Sequence, residues 1–187
     1  MVWEAHDNFQ KQTYRNRCYI STDKGKHMLN IPIKHVGGKE GRQKYADVST
    51  ENSYNWKKEH WRTLETAYRT SPFFEFYEDE LRPLYEKNED SLYNFNLKTI
   101  EAVADCIGIK IPTEKTEIYE VEPKSYFDAR FMVNAKKEKN WKMNPYPQVF
   151  EERHGFIPNL SVLDLLFNEG TNALTYLKSL TLDLKHA

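Results

Sequence analysis

Three stretches between residues 52 and 108 carry apolar side chains at helical spacing, and each has a helix-end residue beside it, so this part of the chain has to build helices. In residues 56–68, Trp56, His60, Leu64, Ala67 and Tyr68 recur at intervals of 4, 4, 3 and 1 and share one face, with Asn52 or Ser53 available as N-cap. Ser71-Pro72 is expected to start a second helix that stops or kinks near Pro83. Ser91 caps a third, whose stripe of Leu92, Phe95, Ile100, Val103, Ala104 and Ile107 ends at Gly108. Near the C-terminus Ser161 opens and Gly170 closes a strongly apolar helix, and another begins at Thr171. Asp164 is the anomaly there: its neighbours Leu163, Leu165 and Leu166 demand burial, and a buried carboxylate needs partners.

The front of the chain reads differently. Residues 18–21 and 27–33 flank the polar loop 22–26 and predict a β-hairpin, with Pro32 either placing the second strand at an edge or ending it. Residues 34–44, with Gly37, Gly38 and Gly41 among charges, predict a mobile loop, followed by a short strand over 45–49. Residues 117–122 alternate polar and apolar and predict a strand with one wet face. The Pro- and Lys-rich stretch 123–147, with Lys136, Lys137, Lys139 and Lys142, predicts loop with one short element over 126–133. Strands followed by helices over 187 residues imply one α/β domain, a small sheet with helices packed on it.

A net charge of −1, a pI near 6.6 and a mean hydropathy of −0.81 argue against a polybasic nucleic-acid binder and against membrane insertion. The opening Met-Val-Trp-Glu-Ala-His-Asp has neither a basic start nor an apolar core, so a cytoplasmic protein is expected. Cys18 and Cys106 stand far apart without His or Cys at ligand spacing; two reduced thiols and no metal site are expected. No Walker loop, G-x-G-x-x-G, G-x-S-x-G or H-E-x-x-H occurs, and Gly37-Gly38-Lys39-Glu40-Gly41 matches a phosphate loop in composition only, so no cofactor is expected.

Charge is uneven: residues 1–69 sum to +5, residues 70–124 to −7 and residues 125–187 to +1. This admits either complementary faces or an anion site in the front half. If the strand runs back that far, Lys11, Thr13, Arg15 and Arg17 point to one side, and the two guanidinium forks suit a phosphate or carboxylate; the alternative is an edge strand blunted by charge. Abundant aromatics suit a core, or a pocket for a flat or sugar-like ligand. His60 on its apolar face reads as a satisfied core residue or as a catalyst. His27 and His35 lie near the hairpin without a motif, and His6 and His154 flank polar segments.

Four ordered blocks, QKQTYRNRCYI, LNIPI, WKKEHWRTLETAYRTSPFFEFYEDEL and YPQVFEERHGFIPNLSVLDLLFNEG, together resemble the WbqC-like protein family over nearly the whole chain. The resemblance implies a bacterial protein of surface polysaccharide (O-antigen or capsule) biosynthesis. It puts weight on Gln10, Lys11, Arg15, Asn16 and Arg17, on Trp56, His60 and Tyr68, and on Gln148, Ser161, Asp164, Asn168 and Gly170. It also implies a nucleotide-binding-type fold lacking its first strand, because family members usually open with an extra strand and a helix ahead of residues 2–5.

The function so implied is a transferase acting on an amino sugar, a nucleotide-linked sugar or an activated acyl donor. Lys11, Arg15 and Arg17 would neutralise a small anionic ligand, with Gln10 beside them, and Asn16 and Gln148 would orient it. His60 would be the general base, held by Asp164 or by a backbone turn. The alternative is a non-catalytic binding or assembly protein. The anion-site reading places the early arginines and the late Gln148 and Asp164 around one hollow.

Overall fold

The computed structural model describes residues 1–34, 43–136 and 141–181. The glycine-rich stretch, His35, Lys137 and Lys139 lie outside the described residues. The hairpin forms as its turn signals require: β1, Arg17–Thr22, pairs antiparallel with β2, Gly25–Asn30, and Gly25 takes a φ of 94° at the turn. Thr22 closes that turn, its hydroxyl donating to the Gly25 carbonyl at 3.0 Å.

Among the described residues this pair is the whole sheet, and parallel pairing is confined to the Trp3–Lys115 bridge. A mixed α/β chain with helices on a small sheet is therefore the observed architecture, but the described residues do not show the finer nucleotide-binding-type sheet.

The helices are α1 (Trp56–Tyr68), α2 (Phe74–Glu86), α3 (Leu92–Ile107), α4 (Glu151–His154), α5 (Val162–Glu169) and α6 (Ala173–Ser179). Ser91 caps α3 by accepting from the Asn94 amide, and Gly108, at φ 79°, ends it. Ser161 caps α5 in the same way through the Leu163 amide. At the start of α1 the expected cap is absent: Asn55 is the N-cap without a side-chain bond, and Asn52 accepts instead from the Trp56 indole at 3.1 Å.

Three expectations are corrected. Ser71 does not cap α2; its hydroxyl donates to the Tyr68 carbonyl at 2.6 Å and finishes α1, so α2 begins at Phe74. The second helix ends at Glu86, three residues past Pro83 and close to the stop expected there. The carbonyl that proline leaves unbonded belongs to Asp79, an exposed residue, and water can take the missing donor's place. Residues 45–49 hold a 3-10 turn, Tyr45–Asp47, because their backbone bonds run to different segments: Tyr45 and Ala46 donate to the carbonyls of Asp7 and Ala5. Residues 117–122 form no strand; their alternating apolar side chains find no sheet face, and Ile118 and Val121 remain 68% and 75% exposed. The short element expected over 126–133 is the 3-10 turn Arg130–Val133.

The main core joins the hairpin to four helices, with Ile20 of β1, Leu64 and Tyr68 of α1, Phe74 of α2, Val103 of α3 and Phe167 of α5 in contact. The amide of Phe73 donates to the Phe167 carbonyl, and the Ser161 amide to that of Tyr19, so α5 is tied both to α2 and to the hairpin. A second core gathers Ala5, Ile31, Tyr45 and Val48 around the start of α3. No described helix is long and apolar enough to cross a membrane.

Candidate functional site

Residues 11–16 do not continue β1. Gln12 takes φ 61°, the Asn16 amide turns back to the Thr13 carbonyl, and Thr13 bridges Asn134, so the side chains of this stretch scatter instead of alternating. The parallel guanidinium forks are thereby undone. Arg15 is buried: its Nη2 donates to Asp7 Oδ2 at 2.5 Å, Nη1 donates to the Asn8 carbonyl at 3.3 Å, and the guanidinium stacks 4.8 Å from the Tyr45 ring centre. That cation is already neutralised.

Arg17, the first residue of β1, is half-buried, and its Nε is sealed from solvent without a hydrogen-bond partner. It lines a partly open cavity of about 1240 Å³ bordered by residues 1–4, the hairpin, α3, residues 109–133 and the start of α5. Beyond the arginines, most of the wall is apolar: α3 contributes Ile100, Val103, Ala104 and Ile107, and Ile109 and Ile111 extend it.

His60 also borders the cavity. Its Nε2 lies 3.1 Å from the Asn30 carbonyl, which requires the proton on that nitrogen and leaves Nδ1 as the acceptor. Burial pushes its pKa down to about 4, with the Asn30 carbonyl acting in the opposite direction, so at neutral pH the imidazole is uncharged. Arg17 pairs with Asn30 across the hairpin, and Asn16 Nδ2 donates to Asn30 Oδ1 at 3.2 Å, so one asparagine gathers three of the expected site residues.

Asp164 and Gln148 lie elsewhere, away from the cavity wall, and the common hollow expected for them and the arginines does not form. Asp164 is fully buried and does not touch His60: Oδ1 accepts from the Tyr68 hydroxyl at 2.7 Å, and Oδ2 accepts from Tyr146 at 2.7 Å and Gln148 Nε2 at 3.0 Å. Burial raises its pKa, and the three donors pull the other way. Gln148 is consumed by Asp164 and by both backbone groups of Ile157, so it has no amide to offer a ligand. Asn16 spends its Nδ2 on Asn30 and the Ile31 carbonyl, its Oδ1 is buried without a partner, and Asn16, Gln10 and Lys11 all lie outside the cavity wall, the last two exposed. His6 and His154 are outside the wall of this cavity, and His154 Nε2 lies 3.0 Å from the Asp23 carbonyl.

Sequence reasoning missed Tyr93, Asn96 and the 109–133 wall. Tyr93, 6% exposed, ends in a hydroxyl without a partner, and Lys115 lies 5.4 Å from its ring centre. Asn96 Nδ2 donates to the Arg15 carbonyl and the Tyr45 hydroxyl, both at 2.6 Å, and fixes that corner of the wall. The available signal was Tyr93 and Asn96 at spacing three beside the α3 stripe. Cys18, also on the wall, has its thiol pushed up to about 11 by burial and is a neutral, weak nucleophile at pH 7. Among the described residues no group of three His, Cys, Asp or Glu side chains is placed to hold a metal ion.

The described residues thus form a helix-rich α/β chain with one arginine lacking an anionic partner on the wall of a large, mainly apolar cavity. The WbqC-like protein family model matches residues 1–139 and 119–176, and the chain belongs to that family. It is similar to the uncharacterized protein Rv1507c of Mycobacterium tuberculosis, at 26% identity over 196 residues, covering 91% of this chain and 84% of that protein. No solved structure matches it.

Proposed function

We propose that this WbqC-family protein binds a small phosphate- or carboxylate-bearing precursor in its cavity and acts in bacterial surface polysaccharide biosynthesis in the cytoplasm. The reaction class is transfer from an amino sugar, a nucleotide-linked sugar or an activated acyl donor. The observation that carries this reading is Arg17: a half-buried cation on the cavity wall with no anionic partner among the described residues, whose guanidinium is left to pair with an anion. His60 accepts a hydrogen bond from the ligand through Nδ1, while its Nε2 is anchored to the hairpin. Asp164 and Gln148 hold the scaffold together and do not touch ligand.

A non-catalytic binding protein is the second reading, favoured by the same histidine: an imidazole with a pKa near 4 is uncharged but weakly basic, a poor match for proton abstraction at pH 7. Calorimetric titration with nucleotide sugars and acyl donors, with mass-spectrometric analysis of the mixtures, tests both. Saturable binding with product formation supports the transferase. Binding without product supports the second reading, and failure of every anionic candidate to bind overturns both.

A further inference from the structure

The cavity wall narrows the ligand class, on the assumption that the cavity is the binding site named above. A nucleotide-linked sugar presents a diphosphate and a run of hydroxyls, each needing a partner when buried. The wall carries polar groups for hydroxyls, among them Glu4, Glu117 and Thr99, but it is poorly supplied with free cations for a diphosphate. Arg15 is neutralised by Asp7 and Arg130 by Asp128, and Lys115 is exposed, which leaves Arg17 as the half-buried cation without an anionic partner among the described residues.

On the same wall, α3 and the residues after it offer a row of apolar side chains. Ile100, Val103, Ala104 and Ile107 follow the helical repeat along one side of α3, and Ile109 and Ile111 carry it past Gly108. Such a face cannot satisfy sugar hydroxyls, but it matches a hydrocarbon chain.

We infer that the ligand is a fatty acyl amphiphile: one carboxylate or phosphate head paired with Arg17, and an unbranched chain laid along the isoleucine face of α3. Of the donor classes named above, this selects the acyl donor. No covalent step on the protein is part of the inference, since the Cys18 thiol beside the cavity is held neutral by its surroundings.

The full chain is titrated calorimetrically with decyl phosphate, decanoate, decanol and UDP-N-acetylglucosamine. Decyl phosphate or decanoate is expected to saturate at one per chain, with decanol about tenfold weaker or worse, the factor one charge-assisted hydrogen-bond pair supplies. Arg17→Ala should bring the anionic amphiphile down to the level of decanol. Ile100→Glu, a change at a partly exposed position that leaves the fold intact, should weaken both amphiphiles by putting a charge on the chain's path. Binding of the nucleotide sugar with no binding of the amphiphiles overturns the inference and leaves the proposed function standing; binding of neither overturns both. Amphiphile binding unchanged by both substitutions also overturns the inference, because the ligand then sits elsewhere.

Discussion

Tyr68 and Asp164, 96 positions apart in sequence, meet at 2.7 Å inside the protein, and the same tyrosine oxygen accepts from the Ser21 amide at 3.1 Å. One hydroxyl thus joins the end of α1 to α5 and to β1. Burial raises the tyrosine's pKa far above its usual range, so it remains a donor at every working pH.

Removing either partner leaves the other buried without its bond. Tyr68→Phe should lower stability by about 1–3 kcal/mol. Asp164→Ala, which strands Tyr68, Tyr146 and Gln148 together, should cost about 3 kcal/mol or more and lower Tm by roughly 6–12 °C. Because the residues touch, the double variant should be less damaging than the sum, and urea melts of the cycle measure that coupling. An Asp164→Ala protein with unchanged Tm would contradict the assignment.

The two arginines separate by the same logic. Arg15→Ala leaves Asp7 buried without its cation and should cost about 3–5 kcal/mol, read as a loss of soluble, folded protein or a large fall in urea midpoint. Arg17→Ala breaks no ion pair and no hydrogen bond of the described residues, so its effect on stability should stay below about 1 kcal/mol. Equal destabilisation by both would show that Arg17 is structural.

Gly170 tests a close approach. A Cβ there would fall 2.5 Å from Phe73 Cδ1, and φ is 54°, a region that side chains avoid. Gly170→Ala should therefore destabilise by about 2 kcal/mol or more, whereas Gly108→Ala, with φ 79° but open space around its Cβ, should cost about 1 kcal/mol. Thermal melts of the two variants order them.

For His60 the sign of the pH effect follows from its pKa falling from 6.5 to about 4 on folding. Between those values the unfolded chain binds the extra proton, so stability is full above pH 6.5 and is lost as pH drops toward 4, by on the order of 2 kcal/mol. Asp164, whose pKa is raised, works in the opposite sense and favours the fold in acid. A His60→Gln variant should flatten the slope between pH 6.5 and 4 in urea melts; an unchanged slope would assign it to other groups.

Local signals carried much of this fold. The period of α1, the Ser91 and Gly108 ends of α3, the Ser161 and Gly170 ends of α5 and the hairpin turn are all set by residues a few positions apart, and all appear where the pattern puts them. The burial of Asp164 was legible from its leucine neighbours, but its partners Tyr68 and Tyr146 were not, since tertiary packing alone brings them together. The failures share that cause. Alternation over 117–122 could not reveal that no sheet edge waits for it, and Arg15 and Arg17 could not share a face once the turn closed by the Asn16 amide on the Thr13 carbonyl left Arg15 outside the strand that Arg17 begins.

The account rests on Arg17 receiving an anion inside the cavity. A crystal structure of the protein soaked with decyl phosphate tests this directly: the phosphate should lie within hydrogen-bond distance of the Arg17 guanidinium, with its chain along Ile100, Val103 and Ile107. Density for the phosphate at the exposed Lys11, with the cavity holding no ligand, would contradict it.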